Sequence, residues 1–136
     1  MRNALFILIF FSLSCKLNQV DSHFRKQGKW IMYYDDSKTH IMNRGHYINN
    51  QQIGKWKYYN PDGGIYLKEK YQKNNWVQTV YYFPNGKKNL EGLAFYVSTI
   101  DTTYYRWEGY WKQYDSTGVL KNNAFYKFGK FAWYKK

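Results

Sequence analysis

Residues 54–71 read Gly54-Lys55-Trp56-Lys57-Tyr58-Tyr59-Asn60-Pro61-Asp62-Gly63-Gly64-Ile65-Tyr66-Leu67-Lys68-Glu69-Lys70-Tyr71, two arms around a turn. In the turn, Asn60 can bond its own backbone, Pro61 presets φ, and Gly63 accepts a positive φ, so the stretch predicts a hairpin closed by a glycine bulge. Side chains alternate along a strand. Gly54, Trp56 and Tyr58 therefore share one face with Ile65, Leu67 and Tyr71. Lys55, Lys57 and Tyr59 share the other with Tyr66, Lys68 and Lys70. One face is apolar and the other is basic and tyrosine-rich.

Working outward, the unit recurs. The turn returns as Phe83-Pro84-Asn85-Gly86 and Asp115-Ser116-Thr117-Gly118, and Trp111-Lys112-Gln113-Tyr114-Asp115 copies Trp56-Lys57-Tyr58-Tyr59-Asn60. An aliphatic residue is followed six positions later by Tyr at Ile41/Tyr47, Ile65/Tyr71, Leu90/Tyr96 and Leu120/Tyr126. Six is even, so each pair shares a strand face. A second turn follows at Asn50, Asn74 and Gly129, residue types that tolerate a positive φ, and is missing after Tyr96. Self-similarity at this period marks a repeat architecture. Residues 28–136 hold about four repeats plus a half repeat; Gly28-Lys29-Trp30 opens a degenerate first one, and Thr79 stands where the third should have Trp. With 31 aromatic residues in the chain, frequent turn signals and no helical periodicity, the expected fold is all-β. It is an elongated single-layer antiparallel meander of hairpins placed side by side. Six residues are inserted around Ser98–Thr103 relative to the earlier repeat. They make a longer loop or an extended hairpin, a binding side or a neutral insertion.

The start of the chain has another character. Arg2, an apolar run from Ala4 to Phe11, and Ser12-Leu13-Ser14-Cys15 have the layout of a secretory signal. Residues 1–14 are read as that signal and residues 15–27 as a tether. The run before Cys15 resembles a bacterial lipobox, with Ser12 where Leu is preferred. The resemblance implies a lipid on Cys15 and a membrane-anchored lipoprotein of the cell envelope, periplasmic or on the surface. Plain secretion is the alternative. Arg2 is the only charged residue before Cys15, so the remainder carries a net charge of +11. That excess favours anionic partners. Export places acidic proteins, anionic lipid headgroups and acidic polysaccharides ahead of nucleic acid.

The repeat, Tyr-x-x-[Asn/Gly]-x3-Gly-x-Trp-x-x-Tyr-[Asn/Asp]-x-x-Gly-x-[Ile/Leu], resembles the MORN-repeat variant of many bacterial proteins, including short lipoproteins and those labelled YwqK-like antitoxins. The likeness covers Gly28 to Tyr134, closely at Tyr47–Tyr71 and Trp111–Gly129. It implies a twisted sheet of hairpins and does not imply an enzyme. The residues agree. Asp35, Asp36, Asp62 and Asp115 fall in turns, Glu69 and Glu91 stand isolated on strands, and His23, His40 and His46 lack zinc spacing. No cofactor or metal is expected.

The surface carries the functional expectation. Tyr59, Tyr82 and Tyr114 recur beside the turns, and Lys55, Lys57, Lys68, Lys70 and Lys112 flank them. The leading reading is a protein-interaction module. The alternatives are a module for anionic lipid or acidic polysaccharide, and an antitoxin or immunity protein that neutralises a toxin.

Overall fold

A computed structural model describes residues 16–99 and 101–135; the signal segment and Cys15 lie outside the described residues. Ten strands follow one another in a single open antiparallel sheet, each paired with its sequence neighbours. They are β1 (Gln19–Val20), β2 (Lys26–Tyr33), β3 (Ile41–Ile48), β4 (Gln51–Tyr59), β5 (Ile65–Tyr71), β6 (Trp76–Tyr82), β7 (Lys88–Ser98), β8 (Thr103–Tyr114), β9 (Leu120–Lys127) and β10 (Lys130–Tyr134). The all-β meander expected from the repeats is the fold observed. The sheet reaches further back than the sequence indicates: β1 and the start of β2 fall within residues 15–27, read above as a tether.

Turn chemistry builds one end of the sheet. Gly63 N–H donates to the Asn60 carbonyl at 2.9 Å and Asn60 N–H to the Gly64 carbonyl at 2.8 Å. The same pair of bonds closes Phe83–Lys87 and Asp115–Val119. Each turn needs the left-handed glycine, at φ +86°, +79° and +93° for Gly63, Gly86 and Gly118. At the other end, Asn49-Asn50, Asn74-Asn75 and Phe128-Gly129 all take positive φ.

The β2–β3, β4–β5, β6–β7 and β8–β9 hairpins each carry a bulge next to the turn, which places Tyr33 against Ile41, Tyr59 against Ile65, Tyr82 against Lys88 and Tyr114 against Leu120. This register corrects the pairing read from the third repeat. Lys88 and Ala94, not Leu90 and Tyr96, occupy the positions of Ile65 and Tyr71. The aliphatic-to-tyrosine spacing persists there two residues out of step, because β7 runs on into the insertion. The insertion itself is the extended hairpin, with Ser98 paired to Thr103. The bulge at Tyr66 also overturns its assignment to the lysine face: its ring lies 6.4 Å from that of Tyr58.

A one-layer sheet has no second layer to cover it, so one face must pack on itself. Trp56, Leu67, Val77, Ala94, Trp111 and Ala124 form its buried apolar set. The two indoles do most of this. Trp56 lies across Gly45 of the preceding strand, where a Cβ would come within 2.2 Å of the ring, and Trp111 lies across Gly92, where the distance would be 2.4 Å. Beside each, the register slips by a bulge, between Arg44 and His46 and between Glu91 and Leu93. Gly54 and Gly109, two residues before the indoles, take φ +62° and +70° to allow it. Burial of an aromatic side chain removes about 150–250 Å² from water, about 4–6 kcal/mol as an upper bound before entropy.

Gly92→Ala and Gly45→Ala are therefore expected to destabilise the fold by about 1–3 kcal/mol each through overpacking. Urea denaturation measures this, and unchanged midpoints would show that the indoles are not held against those glycines.

Candidate functional site

On the lysine face, Lys57 stands directly opposite Lys68 and Lys55 opposite Lys70. Arg44 stands opposite Lys57, and Lys29 opposite His46. Directly opposed residues in an antiparallel pair have Cβ atoms about 4.5–5.5 Å apart, where like charges repel. Among the described residues, no carboxylate lies within 4.0 Å of Lys29, Arg44, Lys55, Lys57, Lys68 or Lys70; each ion pair that forms lies elsewhere. Two shallow grooves of about 360 and 210 Å³ meet along Lys55 and Lys57.

The tyrosine row takes cations from the preceding strand. The Arg44 guanidinium sits 5.5 Å from the Tyr59 ring centre and Lys68 Nζ 4.6 Å from that of Tyr82. At the equivalent third position the partner is an acid, and Tyr114 donates to Glu91 at 2.5 Å. That bond, with some burial, pushes the Tyr114 phenol up to about 12. Burial works against the Glu91 carboxylate, but Lys88 at 2.7 Å, Tyr114 and Lys112 hold it below its ordinary range. Lys112, 3.9 Å from Glu91, is thereby compensated and stands apart from the other predicted lysines. The structure thus brings together Tyr59, Tyr82, Lys55, Lys57, Lys68 and Lys70, and separates Tyr114 and Lys112. Sequence reasoning missed Lys29 and Arg44. Both sit next to inward residues, Trp30 and Gly45, so the alternation of the degenerate first repeat was the signal for them.

The packed face holds a second cluster, built where the tryptophan is missing. Thr79 pairs with Glu69 on one side and Gly92 on the other. At this junction Val77, Thr79 and Glu69 replace the bulge glycine, the indole and the glycine beneath it, and the register runs without a slip. Glu69 is 5% exposed. Tyr58 donates to its Oε2 at 2.7 Å, and the Tyr71 hydroxyl lies 2.9 Å from that atom and 2.7 Å from Gln52 Oε1, with one proton to share between them. Gln52 Nε2 reaches Tyr58 at 3.2 Å. From the extended arm, Tyr105 meets the Thr79 hydroxyl at 2.8 Å. The carboxylate is thus held by hydroxyls rather than by a cation. Burial, with the Glu69 charge added, pushes the phenols of Tyr58 and Tyr105 far above their ordinary value, and burial with the neighbouring Tyr58 and Glu69 does so for Tyr71.

Two further acids serve turns. Asp35 is bonded by the hydroxyls of Ser37 and Thr39, and Asp115 by the Thr117 hydroxyl and the Val119 N–H. These bonds hold both carboxyls well below the usual range. Among the described residues, no three His, Cys, Asp or Glu side chains gather as metal ligands, and no helix is long and apolar enough to cross a membrane.

No family model, curated protein or solved structure matches the chain.

The raised phenols make a prediction with a definite sign. A phenol whose folded pKa exceeds its unfolded value near 10 stabilises the fold fully below that value, and its contribution is lost as pH rises through the folded pKa. For Tyr114 the window runs from about 10 to about 12; Tyr58, Tyr71 and Tyr105 add to the same slope. Stability is expected to fall from pH 10 upward, with a late step of phenolate absorbance coinciding with loss of the strand circular-dichroism signal. Phenolate absorbance that completes while that signal stays intact would contradict the buried network.

Proposed function

We propose that the protein is a non-catalytic binding module of the cell envelope, held at a membrane through Cys15, whose lysine-and-tyrosine face docks an acidic surface on a partner protein. One observation carries the docking reading: six cations on four adjacent strands have no carboxylate partner among the described residues, and four of them face each other as lysine pairs. Their mutual repulsion is relieved when an anionic surface is added. Strand positions hold these charges at fixed spacing, and the tyrosines among them belong to the residue types enriched at protein interfaces. The likeness to MORN-type repeats supports binding over catalysis in the same direction. The export reading rests on residues 2–15. An anionic lipid surface is the second reading, favoured because lysine pairs on a lipid-anchored sheet would lie close to headgroups, at about 1 kcal/mol for each basic residue near the surface.

Poly-glutamate as an acidic-polypeptide probe is expected to bind the wild type with an affinity that falls as salt rises. Binding should weaken by about fivefold or more when Lys55, Lys57, Lys68 and Lys70 are all changed to Gln, from about 0.2–1 kcal/mol per exposed pair. Binding that ignores both salt and the four substitutions would overturn the docking reading. Tighter, lysine-dependent binding to phosphatidylglycerol vesicles would select the lipid reading instead.

The anchor has its own measurement. The intact mass of the membrane-extracted protein should equal residues 15–136 plus a diacylglyceryl group, and a chain that still carries residues 1–14 would sink the export reading.

A further inference from the structure

A groove of about 660 Å³ lies away from the lysine face, between the start of β4, the β5–β6 turn and the end of β7. Its volume is that of a small-molecule cleft, about 300–1,000 Å³. Side-chain amides dominate its polar lining: Gln51, Gln52, Gln72, Asn74 and Asn75, with the rings of Tyr71 and Tyr96 between them. No carboxylate lines it, and Lys73 is its one charged side chain.

Three asparagines of other turns are engaged: Asn50 accepts the Lys26 N–H at 2.7 Å, Asn49 the Gln27 amide at 2.7 Å, and Asn85 the Lys87 N–H at 3.1 Å. In the β5–β6 turn, Asn74 and Asn75 supply the positive φ, 58° and 64°, yet their amides bond to no other described residue, nor do those of Gln51 and Gln72. Gln52 is the exception, fixed in place by Tyr58 and Tyr71 at the edge of the Glu69 cluster. The two rings are set edge to face, 5.4 Å apart. The groove thus offers unbonded amide donor–acceptor pairs around two packed tyrosine rings.

A primary amide presents a donor and an acceptor side by side, which matches two vicinal hydroxyls. A tyrosine ring matches the apolar face of a pyranose. With no carboxylate to hold an amine and a single lysine, the lining does not select a charged ligand. We infer that this groove is a binding site for a neutral oligosaccharide, separate from the lysine face.

The test is a titration of the isotope-labelled full-length protein with cellotetraose, chitotetraose and maltotetraose, followed by NMR. Saturable shifts of the Gln52, Gln72, Asn74 and Asn75 side-chain amides are expected from at least one of them. Asn75→Gly keeps a residue that accepts φ +64° while deleting the amide, and should weaken binding by about fivefold. The Lys55→Gln and Lys70→Gln pair should leave it unchanged. No saturable shift from any of the three sugars overturns the inference, as do shifts that survive both Asn75→Gly and Tyr96→Ala.

Discussion

An indole lying flat across a glycine of the neighbouring strand is the contact on which the rest of this molecule depends. In a sheet of one layer, hydrophobic burial has to come from side chains folded down onto the sheet itself, and only the absence of a Cβ lets a ring approach the backbone that closely. Trp56 over Gly45 and Trp111 over Gly92 each require a further condition, a left-handed glycine two residues before the tryptophan and a slip in register beside it. Two glycines and a tryptophan at three positions on two strands therefore act as one device. It joins one hairpin to the next, since the glycine under the ring belongs to the preceding repeat.

The junction that lacks the device is held by different physics. Ring contacts run Trp30–Tyr47–Trp56–Tyr58 on one side and Tyr71–Tyr96–Tyr105 on the other, and between Tyr58 and Tyr71 the link is Glu69. Hydrogen bonds in a buried, low-dielectric setting are directional and costly to leave unmade. Packing rings tolerate small slips; a carboxylate shared by two phenols does not. The central junction thus adds precision of register where its neighbours add burial. The extended β7–β8 arm belongs to the same arrangement, because it delivers Tyr105 to Thr79 and walls the amide-lined groove. The insertion and the lost tryptophan are two halves of one local change.

Much of this was legible in the chain, for reasons that differ by residue. Asn60-Pro61-Asp62-Gly63 and its copies specify their turns through local backbone chemistry, and period-two alternation assigns faces correctly wherever no bulge intervenes. Tyr66 was misplaced for that reason: a bulge residue departs from the alternation, and bulges depend on cross-strand register. The third repeat was read two residues out of step because Leu90 mimics the aliphatic position that Lys88 holds, and only pairing with Tyr82 decides between them. On the lysine face, Lys55, Lys57, Lys68 and Lys70 were found from one hairpin, while Lys112 was grouped with them by motif alone. Its separation follows from Glu91, whose neighbours across the sheet no single strand reveals. Glu69 was seen as an isolated acid; its hydroxyl shell comes from β4, β5 and, through Thr79, β8, far apart in sequence.

Charge also bears on how an open sheet avoids adding strands. At one end, β2 is blunted by the two-residue β1 and by Asn18, whose amide group bonds both the N–H and the carbonyl of Ile31. At the other, β10 is an edge with Phe131, Trp133 and Tyr134 each about half exposed. Such an edge invites pairing with a second chain, and lysines are a common means of preventing it. Lys127, Lys130 and Lys135 flank these aromatics, so two copies meeting edge to edge would bring like charges together as they brought apolar rings together. Like-charge repulsion among these lysines therefore opposes pairing of the aromatic edge with its own kind.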